Sequence, residues 1–295
     1  MCATCGCSDG EEAVHAAVPS GHEHEHEHEH EHGHAHEHEH HHVHDHDQHE
    51  HGPHTHTHAD APARTIRLEQ EVLAKNQLLA ERNRGWFQAR EVVALNLVSA
   101  PGSGKTTLLE RTARELAGRV ALQVIEGDQA TAHDAERIRA AGCDALQINT
   151  GAGCHLDAAM VGKAIEQLRP PSGSLLMIEN VGNLVCPALF DLGERAKVVI
   201  VAATEGEDKP LKYPHMFRAS RLMLLNKIDL LPHLQFDVQR CIGYAREVNP
   251  QLEILQVSAQ TGAGMQGWYQ WLYRQLAPRH ALAAASADAT EAVGP

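Results

Sequence analysis

The sequence contains no apolar run approaching the roughly 18 residues that a membrane-spanning helix requires. Its N-terminus does not join a basic segment to an apolar one, as a secretory leader would. Lys and Arg are missing before Arg64, in a stretch that holds 14 acids. Subtracting those from the chain's 39 acids leaves 25 against 25 Lys and Arg for residues 64–295. The formal charge of −14 thus belongs to an acidic arm on a neutral body, and no part has the cationic surplus of a nucleic-acid-binding surface. An even set of cysteines is also lacking. Seven thiols make a poor disulfide framework, so metal binding is the better use for them and the cytoplasm the expected compartment.

What is present is organised in blocks. Residues 1–10 (MCATCGCSDG) are a cysteine cluster, and residues 11–63 are an arm in which positions 22–58 hold 19 His. Almost nothing in that arm can be buried to offset the entropy of ordering it, so disorder is expected there and again in the tail 281–295. The 217 residues between, 64–280, are long enough for one large core. They open with a helical pattern carrying Leu68, Val72 and Leu79, expected to lead into that core. Strands are expected at 92–98, 120–125, 145–148, 174–178, 197–202, 221–225 and 253–257, and helices at 105–117, 131–141, 156–168, 236–248 and 264–276. Strands apolar on both faces and alternating with helices predict an α/β three-layer domain with a mostly parallel sheet. Such sheets bind ligands at the carboxyl ends of their strands.

The first strand runs into Ser99-Ala100-Pro101-Gly102-Ser103-Gly104-Lys105-Thr106-Thr107, then a helical segment. This resembles the phosphate-binding P-loop, with Ser99 in place of the first Gly. Gly102 and Gly104 allow backbone N–H groups around Ser103 to turn toward phosphate oxygens, and the helix N-terminus adds its dipole. Lys105 supplies a cation for the β- and γ-phosphates and Thr106 a hydroxyl for Mg²⁺. Asn226-Lys227-Ile228-Asp229 matches the guanine-recognition motif of GTPases. The Asp229 carboxylate can accept from both guanine donors, a pairing that adenine cannot offer. Ser258-Ala259 resembles the segment that contacts the guanine carbonyl. Glu179 ends the fourth strand three residues before Gly182; the acid, a Glu in place of the usual Asp, fits the Mg²⁺ position of P-loop enzymes, and Gly182 fits the position that senses the γ-phosphate. Asp128 is a second Mg²⁺-side candidate, or else a turn acid. No glutamine stands where many GTPases orient water, so turnover is expected to be slow.

Three features bear on metal. Cys2, Cys5 and Cys7, with an α-amine if Met1 is removed, make a four-donor set suited to square-planar Ni²⁺ or tetrahedral Zn²⁺. Cys154 and His155 precede a helix, and Cys186 lies four residues past Gly182. All three would sit at the sheet's carboxyl edge, either as ligands or as two buried cysteines and a capping histidine. The His tract offers many exchangeable imidazoles, a pattern of storage rather than catalysis.

Together these motifs resemble the hydrogenase nickel-incorporation GTPase family, HypB, across Cys2/Cys5/Cys7 and essentially all of residues 64–280. Segments 205–214 (EGEDKPLKYP) and Cys186-Pro187 also look like family segments. The resemblance implies a P-loop GTPase that uses GTP and Mg²⁺ and delivers nickel to [NiFe]-hydrogenase. It implies a tight nickel site at Cys2, Cys5 and Cys7. A weaker nickel or zinc site at Cys154, His155 and Cys186 would lie at a GTP-dependent dimer interface, with Leu230 and Leu234 as apolar dimer contacts. The implied partners are a zinc-containing nickel chaperone of the HypA type and the hydrogenase large subunit. Two other readings stand beside it: a metal buffer, and a nickel-insertion GTPase serving urease.

Overall fold

The computed structural model describes residues 60–128, 133–151 and 153–277, with side chains from Gln70 onward. The Cys2/Cys5/Cys7 cluster, the His tract and the tail 281–295 lie outside those residues. Residues 60–69 open the first helix and fall in a separate unit from Gln70 onward, which carries the sheet and the other helices.

Seven strands form one sheet: β1 Val93–Ser99, β2 Leu122–Asp128, β3 Asp144–Asn149, β4 Leu175–Glu179, β5 Ala196–Ala202, β6 Ser220–Asn226 and β7 Glu253–Gln256. Their order is β3-β2-β4-β1-β5-β6-β7, and every neighbouring pair is parallel. The helices are α1 Asp60–Ala89, α2 Lys105–Leu116, α3 His133–Ala140, α4 Ala158–Leu168, α5 Lys209–Lys212, α6 Pro214–Ala219, α7 Val238–Val248 and α8 Met265–Leu276. None of the described helices is long and apolar enough to cross a membrane.

The core follows from the two-residue period of a strand. In β1, Leu95 and Leu97 join Leu108 and Leu109 of α2 and Trp268 and Trp271 of α8 in one layer. On the opposite face, Ala94 clusters with Phe87 of α1 and Ile165 of α4, and Val98 with Phe217 of α6 and Cys241 of α7. Strands buried on both faces need covering helices on both sides, which gives the three-layer α/β arrangement of P-loop NTPases.

Helices α5 and α6 were not among the expected elements, and two further departures bear on the site. Strand β2 does not stop at residue 125. Glu126, Gly127 and Asp128 stay in register with Gln147, Ile148 and Asn149 of β3, so this tripeptide is strand, not turn. Helix α1 docks through a different stripe from the one its leucines suggest. Val72 is exposed, whereas Asn76, Ala80, Asn83 and Phe87 are buried. Asn76 accepts from Ala158 N at 2.9 Å, one of the orphan N–H groups that open α4. Asn83 donates to the carbonyls of Ala158 and Leu192. Polar side chains that satisfy backbone groups therefore hold α1 in place.

Strand β1 lies at the middle of the sheet, between β4 and β5. Because the sheet is parallel, the carboxyl ends of β1, β2, β3, β4, β6 and β7 share one edge, and the candidate residues among the described ones lie at or just beyond these ends.

Candidate nucleotide and metal site

The loop after β1 turns through two glycines in left-handed conformation, Gly102 at φ +74° and Gly104 at φ +92°. A Cβ on Gly104 would also come within 2.7 Å of the Asn226 amide nitrogen. That amide donates to Ser103 O at 2.8 Å, and Asn226 Oδ1 accepts from Ala259 N at 3.1 Å. One buried side chain thus joins the P-loop, the end of β6 and the loop after β7. Lys227 reaches back to Gly102 O at 2.7 Å. Ser258 donates to Asp229 Oδ1 at 2.5 Å and fixes that carboxylate at the start of a 3-10 turn, Ile228–His233. Leu230 lies on the same turn and Leu234 directly after it, both half-buried.

Lys105 and Thr106 begin α2, and Thr107 follows half-buried. The Lys105 ammonium donates to Ser99 Oγ at 2.7 Å, so the serine at the anomalous P-loop position serves as a rest for the lysine. Burial lowers the Lys105 pKa, and the nearby Glu179 carboxylate opposes that shift. Thr106 Oγ1 donates to Glu179 Oε1 at 3.0 Å. Glu179 Oε2 is buried with no hydrogen-bond partner among the described residues. Burial raises the Glu179 carboxyl to about 7, with Lys105 pulling the other way. Register places Glu126 of β2 directly beside Glu179 of β4. Burial, and then Glu179, push Glu126 up to about 9. Asp128 ends the same strand, half-buried. Taken together, buried carboxylates, one with an unsatisfied oxygen, cluster beside the lysine and threonine of the P-loop.

Sequence reasoning assigns no role to several residues that hold this arrangement. Arg111 of α2 donates to the carbonyls of Ala259 and Gln260 and pins the loop after β7. Glu205 accepts from Ser103 Oγ at 2.7 Å and from Ala202 N at 3.1 Å, bracing the P-loop from the end of β5. Glu126 is the third. A glutamate in a strand reads as an exposed edge residue until its neighbours are known.

The segment after β4 leads from Glu179 to Cys186. Gly182 packs against Pro101, where a Cβ would meet Pro101 atoms at 3.0–3.1 Å. Four residues on, Cys186 opens a 3-10 turn, Cys186–Ala188. Its Sγ lies 3.1 Å from Cys154 Sγ, and the His155 Nδ1 lies 3.5 Å from Cys154 Sγ. One ligand atom from each of Cys154, His155 and Cys186 falls within 4.8 Å of the others, and all three residues are half-buried. Burial lowers the His155 pKa and Asp157 partly offsets it, which favours the neutral, metal-binding imidazole. The ring packs on Phe190 at 3.9 Å between centroids. Two thiols and an imidazole suit a borderline or soft transition metal and leave a coordination position for another donor.

A family model described as "CobW/HypB/UreG, nucleotide-binding domain" matches residues 93–256. The hydrogenase maturation factor HypB of Azotobacter vinelandii is 61% identical over 217 residues, spanning 74% of this chain and 72% of that protein. Among solved structures, the hydrogenase maturation factor HypB of Archaeoglobus fulgidus aligns with a TM-score of 0.65 at 40% identity, covering 69% of this chain and 100% of that one. HypB of Helicobacter pylori, solved in complex with nickel, aligns with a TM-score of 0.65 at 34% identity, covering 68% of this chain and 95% of that one.

Proposed function

This chain belongs to the HypB family of hydrogenase maturation factors, within the CobW/HypB/UreG group of nucleotide-binding proteins, and from that premise we propose that it is a GTP-hydrolysing switch whose cargo is nickel. The observation that carries the reading is the continuity of one short segment. Glu179, bonded to Thr106, and Cys186, in contact with Cys154, are separated by six residues of backbone.

In this reading the backbone of Gly102, Ser103 and Gly104, with Lys105, Thr106 and Thr107, cradles the phosphates. Asp229, braced by Ser258, accepts from guanine, while Lys227, Asn226 and Ala259 shape the base pocket. Thr106 and Glu179 would hold Mg²⁺, with Asp128 beside them. The buried, unpartnered Glu179 oxygen fits a hard cation. When bound, Mg²⁺ would neutralise charge on the phosphates. Cys154, His155 and Cys186 hold nickel in transit or zinc, and in the GTP state a second copy of the chain, docked through apolar contacts of Leu230 and Leu234, supplies the remaining donor. Cys2, Cys5 and Cys7 form the tighter nickel site and the His tract a reserve. The recipient is the large subunit of [NiFe]-hydrogenase, and a HypA-type chaperone shares the handover.

The test is nickel titration with GDP and with a GTP analogue, using Cys186→Ala as control. The affinity at the Cys154–His155–Cys186 site is expected to differ between the two nucleotides and the difference to vanish in the control. Equal affinities in the parent protein would remove the switch.

A further inference from the structure

The nucleotide acid and the metal cysteine share a segment, but Cys154 and His155 sit on another strand's loop, so something must carry the state of one to the other. The geometry points to Asn180 as the positioning residue that couples them, an inference that rests on the nucleotide-switched reading above. Asn180 follows Glu179 directly and is 1% exposed. Its Oδ1 accepts from Val181 N at 3.0 Å, on its own segment, and from Leu156 N at 3.1 Å, the residue after His155. Its amide donates to Asn96 Oδ1 in β1 at 3.2 Å, and Asn96 donates to Glu194, itself paired with Lys197 at 2.8 Å. One oxygen thus holds together the two backbones that bear the metal donors, and the amide anchors that junction to the buried floor of the sheet.

A second clasp lies three residues on. Asn183 donates to Cys154 O at 3.2 Å and accepts from Val185 N at 2.8 Å, beside Cys186. Leu156 is fully buried against Gly127 of the Glu126-Gly127-Asp128 strand. A movement of Glu179 on nucleotide exchange therefore shifts Val181, and through the shared oxygen it shifts Leu156 and the His155–Cys154 pair with it. Without the clasp the two loops respond independently, and nucleotide no longer sets the distance between sulfurs. The Asn180 side chain bonds Leu156 N, Val181 N and Asn96, none of them a proposed nucleotide or metal ligand, so it acts through Leu156 and Val181.

The experiment uses the full chain with Cys2, Cys5 and Cys7 replaced by serine. Thiolate-to-nickel charge-transfer absorption then reports on Cys154 and Cys186, because the imidazoles of the His tract contribute none. Nickel is titrated with GDP and with a GTP analogue, and the readout is the ratio of the two affinities, which a general loss of structure does not mimic. Allosteric ratios of this kind commonly fall between about 5 and 150. Asn180→Ala is expected to bring the ratio to within about twofold of one. Asn180→Asp keeps the acceptor for both N–H groups and is expected to retain most of it. Where Asn180→Ala does not fold, the half-buried Asn183→Ala carries the test, with a ratio reduced at least threefold. A background ratio that survives in folded Asn180→Ala protein, or in Asn183→Ala where Asn180→Ala does not fold, overturns the inference alone. A ratio of one in the background overturns the switched reading and the inference together.

Discussion

Gly127 offers a sharp perturbation of the contact between the acid-bearing strand and the loop that carries Cys154 and His155. A methyl group at this position would lie 2.7, 2.8 and 2.9 Å from Leu156 Cγ, Cδ1 and Cδ2. Ordinary carbon contacts lie near 3.5–4.0 Å, so Leu156 must retreat by roughly 1 Å. It is 0% exposed, with Ile125 and Leu176 in the same cluster, so its retreat displaces core neighbours and pulls on the bond from its N–H to Asn180. Overpacking of this kind costs about 1–3 kcal/mol. For a domain of this size each kcal/mol moves the melting temperature by roughly 2–4 °C, so Gly127→Ala is expected to melt about 2–12 °C lower. Gly243→Ala supplies the opposite sign. Gly243 lies within α7, exposed, with open space around its Cα, and alanine there is expected to add about 0.5–1 kcal/mol. Thermal melts by circular dichroism at matched nucleotide and metal content compare the two. If Gly127→Ala melts at the parent temperature while Gly243→Ala rises, the steric argument fails. If both fall, the comparison with open space fails.

Asp229→Asn exchanges a charged acceptor for a neutral amide, and a hydrogen bond to a charged group contributes about 1.5–3 kcal/mol. GDP affinity by fluorescence titration is therefore expected to fall by about 10- to 100-fold, with XDP binding less affected; an unchanged GDP affinity contradicts guanine recognition at this residue. Burial pushes the Cys143 and Cys241 thiols up to about 12. Only the thiolate alkylates, so at pH 8 both should react with iodoacetamide on the order of 1,000-fold slower than a thiol of ordinary pKa, and rise tenfold per pH unit. Fast labelling of either in the native protein, read by mass spectrometry, counts against their burial. Deleting residues 22–58 removes 19 imidazoles and is expected to cut the nickel bound per chain while leaving its nucleotide-dependent part intact. Loss of that dependence on deletion would favour the arm as part of the switch.

The sheet was legible because its signal is redundant. Segments such as Val93–Ser99 and Ala196–Ala202 are buried along their whole length and read as apolar runs whatever packs on them. The placement of the candidate phosphate and guanine motifs at strand ends was legible because each follows an apolar run directly in the sequence. Much of what supports them was not. Asn76 and Asn83 dock α1 through backbone groups of residues 75 or more positions away, and a hydrophobic period cannot register a polar contact. Asn180 reads as a turn residue beside an acid, and its partner, the N–H of Leu156, has no side chain by which to be noticed. Glu126 differs from a solvated strand acid only in being covered. The approach of Cys154 to Cys186 was conjecture from topology, since two loops at one sheet edge need not touch. Here the shared acceptor on Asn180 and the Asn183 bond to Cys154 O draw them together.

The central claim is that nucleotide and metal bias one piece of backbone, and linkage makes it quantitative. The factor by which a GTP analogue in place of GDP changes nickel affinity at Cys154, His155 and Cys186 must equal the factor by which nickel changes the preference for the analogue over GDP. Isothermal titration around the full cycle, on protein with Cys2, Cys5 and Cys7 replaced by serine and residues 22–58 deleted, measures both. Equal factors well away from one, both returning to one in Cys186→Ala, are the predicted result. Factors of one in the parent protein would contradict the claim.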